Sequence, residues 1–108
     1  MIDSCLPEIN LIGEKYVEQW LTENGYSNII KVPMQANESG LVATGRIENI
    51  LLMVRTFLHP HKAYKLSDYE VDLLTRRATK LKLVAYAAYA VTDKCGKLTE
   101  EITWERLS

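Results

Sequence analysis

The sequence predicts one α/β domain in which a helix, three strands, a second helix and two further strands follow one another. Three observations carry that order. Apolar residues recur at helical spacing near the start of the chain. The run Ile50-Leu51-Leu52-Met53-Val54 is continuously apolar, as in a strand covered on both faces. Ser67-Asp68-Tyr69-Glu70 then spells a helix start between two strand-like segments.

Residues 7–24 read as the first helix, with Ile9, Ile12, Tyr16, Val17, Trp20 and Leu21 three and four apart, Pro7 in the first turn and Asn24-Gly25 as the left-handed stop. Gly13 inside it costs about 1 kcal/mol relative to Ala, so its place there predicts a close approach of a neighbouring strand. Residues 28–34 read as a strand put at an edge or an end by Pro33, and residues 37–40 read as a turn. Residues 41–47 and 50–58 read as a hairpin turning near Glu48-Asn49, its second strand central in the sheet. The second helix opens on a capping box, Ser67 with Glu70. Its stripe of Val71, Leu74, Ala78 and Leu81 leaves Arg76, Arg77 and Lys80 on the solvent side. Residues 83–91 read as a buried strand with Tyr86 and Tyr89 on opposite faces. A turn at Gly96 follows, and residues 101–107 read as a final edge strand.

At 108 residues with 47% apolar content, the chain fits a single domain over 1–108. The apolar runs fall far short of the roughly 20 residues of a membrane helix, and no basic-then-apolar leader opens the chain, so a cytoplasmic protein without a membrane is expected. Cys5 and Cys95 lack zinc-site spacing and read as reduced thiols. The net charge of −1 excludes a uniformly basic nucleic-acid binder, yet it hides an asymmetry. Residues 1–54 carry three cations against seven acids, whereas residues 55–82 carry seven cations against three acids. Arg55, Lys62, Lys65, Arg76, Arg77 and Lys80 therefore stand as candidate phosphate contacts, although basic residues on a helix are more often a solvated face.

Several local motifs fall in a suggestive order: Gly13-Glu14 in the first helix, Asn24-Gly25-Tyr26 at its end, Leu52-Met53-Val54-Arg55-Thr56 on the central strand and Leu66-Ser67-Asp68-Tyr69-Glu70 before the second helix. In this order the chain resembles the restriction-endonuclease-like, or PD-(D/E)xK, superfamily, above all its Holliday-junction-resolvase-like and Mrr-like branches. The resemblance implies an α-β-β-β-α-β core with a central mixed sheet flanked by helices. In that family an Asp on the second strand and the Glu of Glu-x-Lys hold Mg²⁺, and the Lys activates or orients water. Carried over, the Glu position is Met53, a thioether unsuited to a hard cation, and the Lys position is Arg55, which stays charged. The Asp is expected around residues 43–45, where no acid stands, and only Glu14 matches an additional ligand position.

The resemblance thus implies a catalytically silent nuclease-fold protein that binds DNA, RNA or a protein partner, with no confident catalytic residue, no metal and no cofactor. Two alternatives stand beside it. One is a Mg²⁺-dependent nuclease whose acids have moved, with Glu14, Glu38 or Glu48 as candidates; the other is an assembly module that forms a homodimer through an open strand edge. Other constellations favour plain readings. Glu14 reads as a first-turn residue suited to the helix dipole, His59-Pro60-His61 as a stiff exposed loop, and the Trp and Tyr residues as core or edge aromatics.

Overall fold

A computed structural model describes residues 9–32, 39–60 and 65–107. Along the chain run α1 (Ile9–Glu23), β1 (Ser27–Val32), β2 (Ser39–Thr44), β3 (Asn49–Leu58), α2 (Asp68–Leu81), β4 (Val84–Thr92) and β5 (Thr103–Arg106). The five strands form one sheet in the order β1-β2-β3-β4-β5. β1, β2 and β3 are antiparallel neighbours, β3 and β4 are parallel through the α2 crossover, and β5 returns antiparallel to β4. The expected element order and the central place of β3 are both found.

Strand alternation divides the core in two. On one face Val17 and Leu21 of α1 meet Leu41, Ala43, Ile50, Leu52, Val54 and Ala88. On the other, Leu74 and Ala78 of α2 meet Leu51, Met53, Phe57, Ala85, Ala87, Tyr89 and Val91. Tyr86 packs on the first face and Tyr89 on the second, as the alternation predicts. Alanines along β4 let both layers approach. Gly13 does the same for α1, since a Cβ there would lie 1.9 Å from Thr56 Oγ1 on β3.

The termini of the elements follow local chemistry. Gly25 takes φ 90°, and the Tyr26 amide donates to the Leu21 carbonyl to close α1. α2 begins with the full capping box: the Ser67 amide donates to Glu70 Oε1 at 2.8 Å, and the Glu70 amide donates to Ser67 Oγ at 3.2 Å. Gly96 takes φ 89° in a turn organised by Asp93, whose carboxylate accepts from the Cys95 and Lys97 amides.

Several sequence expectations are corrected at their edges. β2 begins at Ser39 rather than after Gly40 and stops at Thr44, so the hairpin turn is Gly45 to Glu48 and leaves Ile47 97% exposed. The Gly45 amide already donates to the Glu48 carbonyl, which turns the chain before Ile47 can join the strand. Leu81 leaves the apolar stripe and is 52% exposed, because Lys82 turns left-handed directly after it. β5 is shorter than expected, and β1 opens one residue earlier, at Ser27. Pro7, Pro33, Met34, Glu38, His61 and Cys5 lie outside the described residues; Cys95 is exposed and free. No helix among the described residues is long and apolar enough to cross a membrane.

Candidate functional site

Met53 and Arg55 both point to the α2 side of β3. Met53 is buried against that layer. The antiparallel register sets Gly40 directly opposite Met53, while Ala43 faces Ile50. The β2 position that would complement Met53 is therefore Gly40, three residues before the segment expected from sequence. The shift follows from the four-residue turn and the early start of β2. Neither Gly40 nor Met53 carries a group that coordinates a hard cation.

The Arg55 side chain is only 14% exposed, and its Nη2 bonds to Glu70 Oε2. Glu70 thereby holds two partners at once, the Ser67 amide on one oxygen and the Arg55 guanidinium on the other. The Ser67 amide first, and the guanidinium next, hold this carboxyl at about 2. Tyr89 stands beside Arg55 in the parallel register. Its hydroxyl donates to Glu105 Oε1 at 2.9 Å and accepts from the Leu66 amide at 3.2 Å. Burial above all raises the Tyr89 phenol. Glu105 in turn faces Lys65 Nζ at 3.6 Å.

Among the described residues, Glu70 and Glu105 are the carboxylates brought towards Arg55 and Tyr89, and sequence reasoning passed over both. The capping-box pattern did mark Glu70, but as a helix start and not as the partner of a strand residue. Among the described residues no three of His, Cys, Asp and Glu gather as metal ligands.

The acids singled out from sequence lie elsewhere. Glu14 is in the second turn of α1, not the first, so the dipole account does not apply. It is 4% exposed and pairs with Lys31 Nζ at 2.9 Å on the α1 side of the sheet. That carboxylate raises the Lys31 ammonium above its ordinary value. Glu48 sits at the hairpin turn, seven residues before Arg55 along an extended strand, or about 23 Å away. Tyr86 Oη donates to Glu48 Oε2 at 2.6 Å, and Arg106 Nη1 approaches Glu48 Oε1 at 3.3 Å. The structure therefore does not bring Glu14, Glu48, Met53 and Arg55 together.

The basic candidates separate in the same way. Arg76, Arg77 and Lys80 share the outer surface of α2, where Arg76 pairs with Asp72 one turn earlier at 3.1 Å. Lys65 is exposed near the start of α2, Arg55 is covered beneath the helix, and Lys62 lies outside the described residues.

No protein-family model and no curated protein matches the sequence. Among solved structures, the chain is similar to Hjc, a Holliday junction resolvase from the archaeal hyperthermophile Archaeoglobus fulgidus. The TM-score is 0.61 at 19% identity, over 91% of this chain and 72% of that one. The chain has the restriction-endonuclease-like fold. At 19% identity this is a likeness of architecture, and one fold hosts many chemistries.

Proposed function

We propose that this chain is a catalytically silent nuclease-fold protein that binds nucleic acid through the outer surface of α2. The observation that carries the silent reading is the Gly40–Met53 pairing: the two facing positions of the hairpin offer no carboxylate. Beside them Arg55 is tied to Glu70, and a guanidinium cannot serve as a base near neutral pH. The nucleic-acid reading is supported by the fold shared with a Holliday junction resolvase and by Arg76, Arg77 and Lys80 on one exposed helix surface.

Binding to four-way-junction, duplex and single-stranded DNA across a salt series tests the surface. Replacing Arg76, Arg77 and Lys80 with Ala removes up to three phosphate contacts and is expected to reduce the slope of log affinity against log salt by about 0.9 per contact on duplex. Wild-type protein that binds none of these at low salt would overturn the reading. Incubation of the same DNAs with Mg²⁺ or Mn²⁺ is expected to leave them intact.

One observation favours a second reading, a nuclease with a relocated acid: α2 delivers Glu70 to the side of Arg55. Metal-dependent cutting that Glu70→Ala abolishes would establish it in place of the first.

A further inference from the structure

The α1 side of the sheet carries an aromatic cleft that no reading above uses. It encloses about 160 Å³ and is lined by Trp20, Leu21, Tyr26, Ile50, Tyr86 and Trp104. Tyr26 also lines an adjoining open pocket of about 410 Å³, whose rim holds Arg46, Glu48 and Arg106. The rings come from α1, the α1–β1 turn, β4 and β5, so only the folded sheet assembles them. Trp20 and Trp104 meet with centroids 4.5 Å apart at 38°, and Trp20 remains 37% exposed. The Arg106 guanidinium lies 5.8 Å over the Tyr86 ring.

Charge and shape together select the occupant. Glu48 is already engaged by the Tyr86 hydroxyl and by Arg106. Arg46, at the exposed turn, has no hydrogen-bond or ion-pair partner among the described residues. The rim therefore holds two guanidinium groups against one carboxylate, an excess suited to an anion. A second copy docked cleft to cleft would set that excess against itself. Flat aromatic faces beside a forked cation suit a base with its phosphate, because every base has a π-face to stack and guanidinium binds phosphate oxygens in pairs.

We propose that this cleft takes an unpaired nucleotide of a single nucleic-acid strand, its base against the indole and phenol rings and its phosphate on Arg46. The site lies on the opposite side of the sheet from α2 and does not depend on the basic surface proposed above.

Both tryptophans of the chain line the cleft, so intrinsic fluorescence reports on it directly. The full chain is titrated with an oligothymidylate about eight nucleotides long, with a duplex of equal length and with thymidine monophosphate. The single strand is expected to quench emission and to bind at least about tenfold more tightly than the duplex, with the mononucleotide weaker than the strand. Trp20→Ala is expected to weaken single-strand binding about tenfold. Arg46→Ala, on an exposed turn and so of little consequence for folding, should lower the single-strand salt slope by about 0.7. The Arg76, Arg77 and Lys80 triple replacement is expected to weaken duplex binding while the full quench is still reached at saturating oligothymidylate, which separates failure of this site from failure of the α2 surface. Three results would overturn the proposal. One is emission unmoved by the oligonucleotide, another a quench that survives Arg46→Ala and Trp20→Ala alike, and the third an emission that changes with protein concentration alone, which would place a second copy in the cleft.

Discussion

Gly13→Ala separates local propensity from packing. In a solvent-exposed helix interior that substitution stabilises by about 1 kcal/mol. Here an added Cβ would stand 1.9 Å from Thr56 Oγ1, 2.9 Å from Thr56 Cβ and 3.0 Å from Thr56 Cγ2. Rotating the threonine removes the first contact but not the second, which belongs to the β3 framework. Helix α1 must then lift from the strand at the point where Val17, Leu21 and Val54 pack below it. Overpacking costs about 1–3 kcal/mol, and three contacts this short belong to the upper part of that range, about 2–3 kcal/mol, so the net effect is a loss of about 1–2 kcal/mol once the propensity gain is counted. Urea unfolding followed by far-ultraviolet circular dichroism reads this as a fall in midpoint of about 1 M at unchanged slope. Thr56→Ala in the same chain should recover part of the loss and not all of it, because its Cβ remains. A Gly13→Ala protein as stable as the wild type, or more so, would refute the close approach of α1 to β3.

Two further substitutions test the start of α2. Ser67→Ala removes the hydroxyl that receives the Glu70 amide and should cost about 1 kcal/mol in urea unfolding. Glu70→Gln keeps a side chain able to accept from the Ser67 amide but deletes the charge facing Arg55. Because the folded-state value of Glu70 lies near 2, below its ordinary 4.5, the wild type should hold this stability above pH 4.5 and lose it as the pH falls towards 2. The contribution is at most about 3 kcal/mol, lessened by solvent at a carboxylate 30% exposed, and the Gln variant should show a flatter acid limb. An acid limb identical in both proteins would show that the pair is not formed.

The sequence exposed what depends on periodicity and on neighbours within a few residues. The continuous apolar run of β3, the alternation of Tyr86 and Tyr89, the Ser67–Glu70 box and the glycine at position 13 were all legible, because each is a local pattern with one cheap structural solution. What was not legible depends on how separate elements come to rest. The Gly40–Met53 register hinges on where the hairpin turns, and moving that turn by a few residues changes the facing partner. The Arg55–Glu70 contact joins residues fifteen apart across a crossover, so it exists only after α2 docks. Trp20, Tyr26, Tyr86 and Trp104 read singly as core or edge aromatics, and nothing short of the folded sheet gathers them around one cleft.

The residues under α2 also explain each other electrostatically. A guanidinium as covered as Arg55 costs several kcal/mol if left unpaired, and among the described residues its sheet neighbours Met53 and Tyr89 carry no carboxylate. The first turn of α2 delivers a balancing charge to it through Glu70. Glu70 can face inward because the capping box already fixes its backbone and one of its oxygens, so little further rotamer freedom is lost on reaching Arg55. The pair is neutral without any ion, which lets Met53 and Arg55 be covered together. The cations proposed to meet nucleic acid stand apart from this pair, Arg76, Arg77 and Lys80 exposed on α2 and Arg46 at the hairpin turn on the other side of the sheet, so the salt series and the fluorescence titration test two separate surfaces.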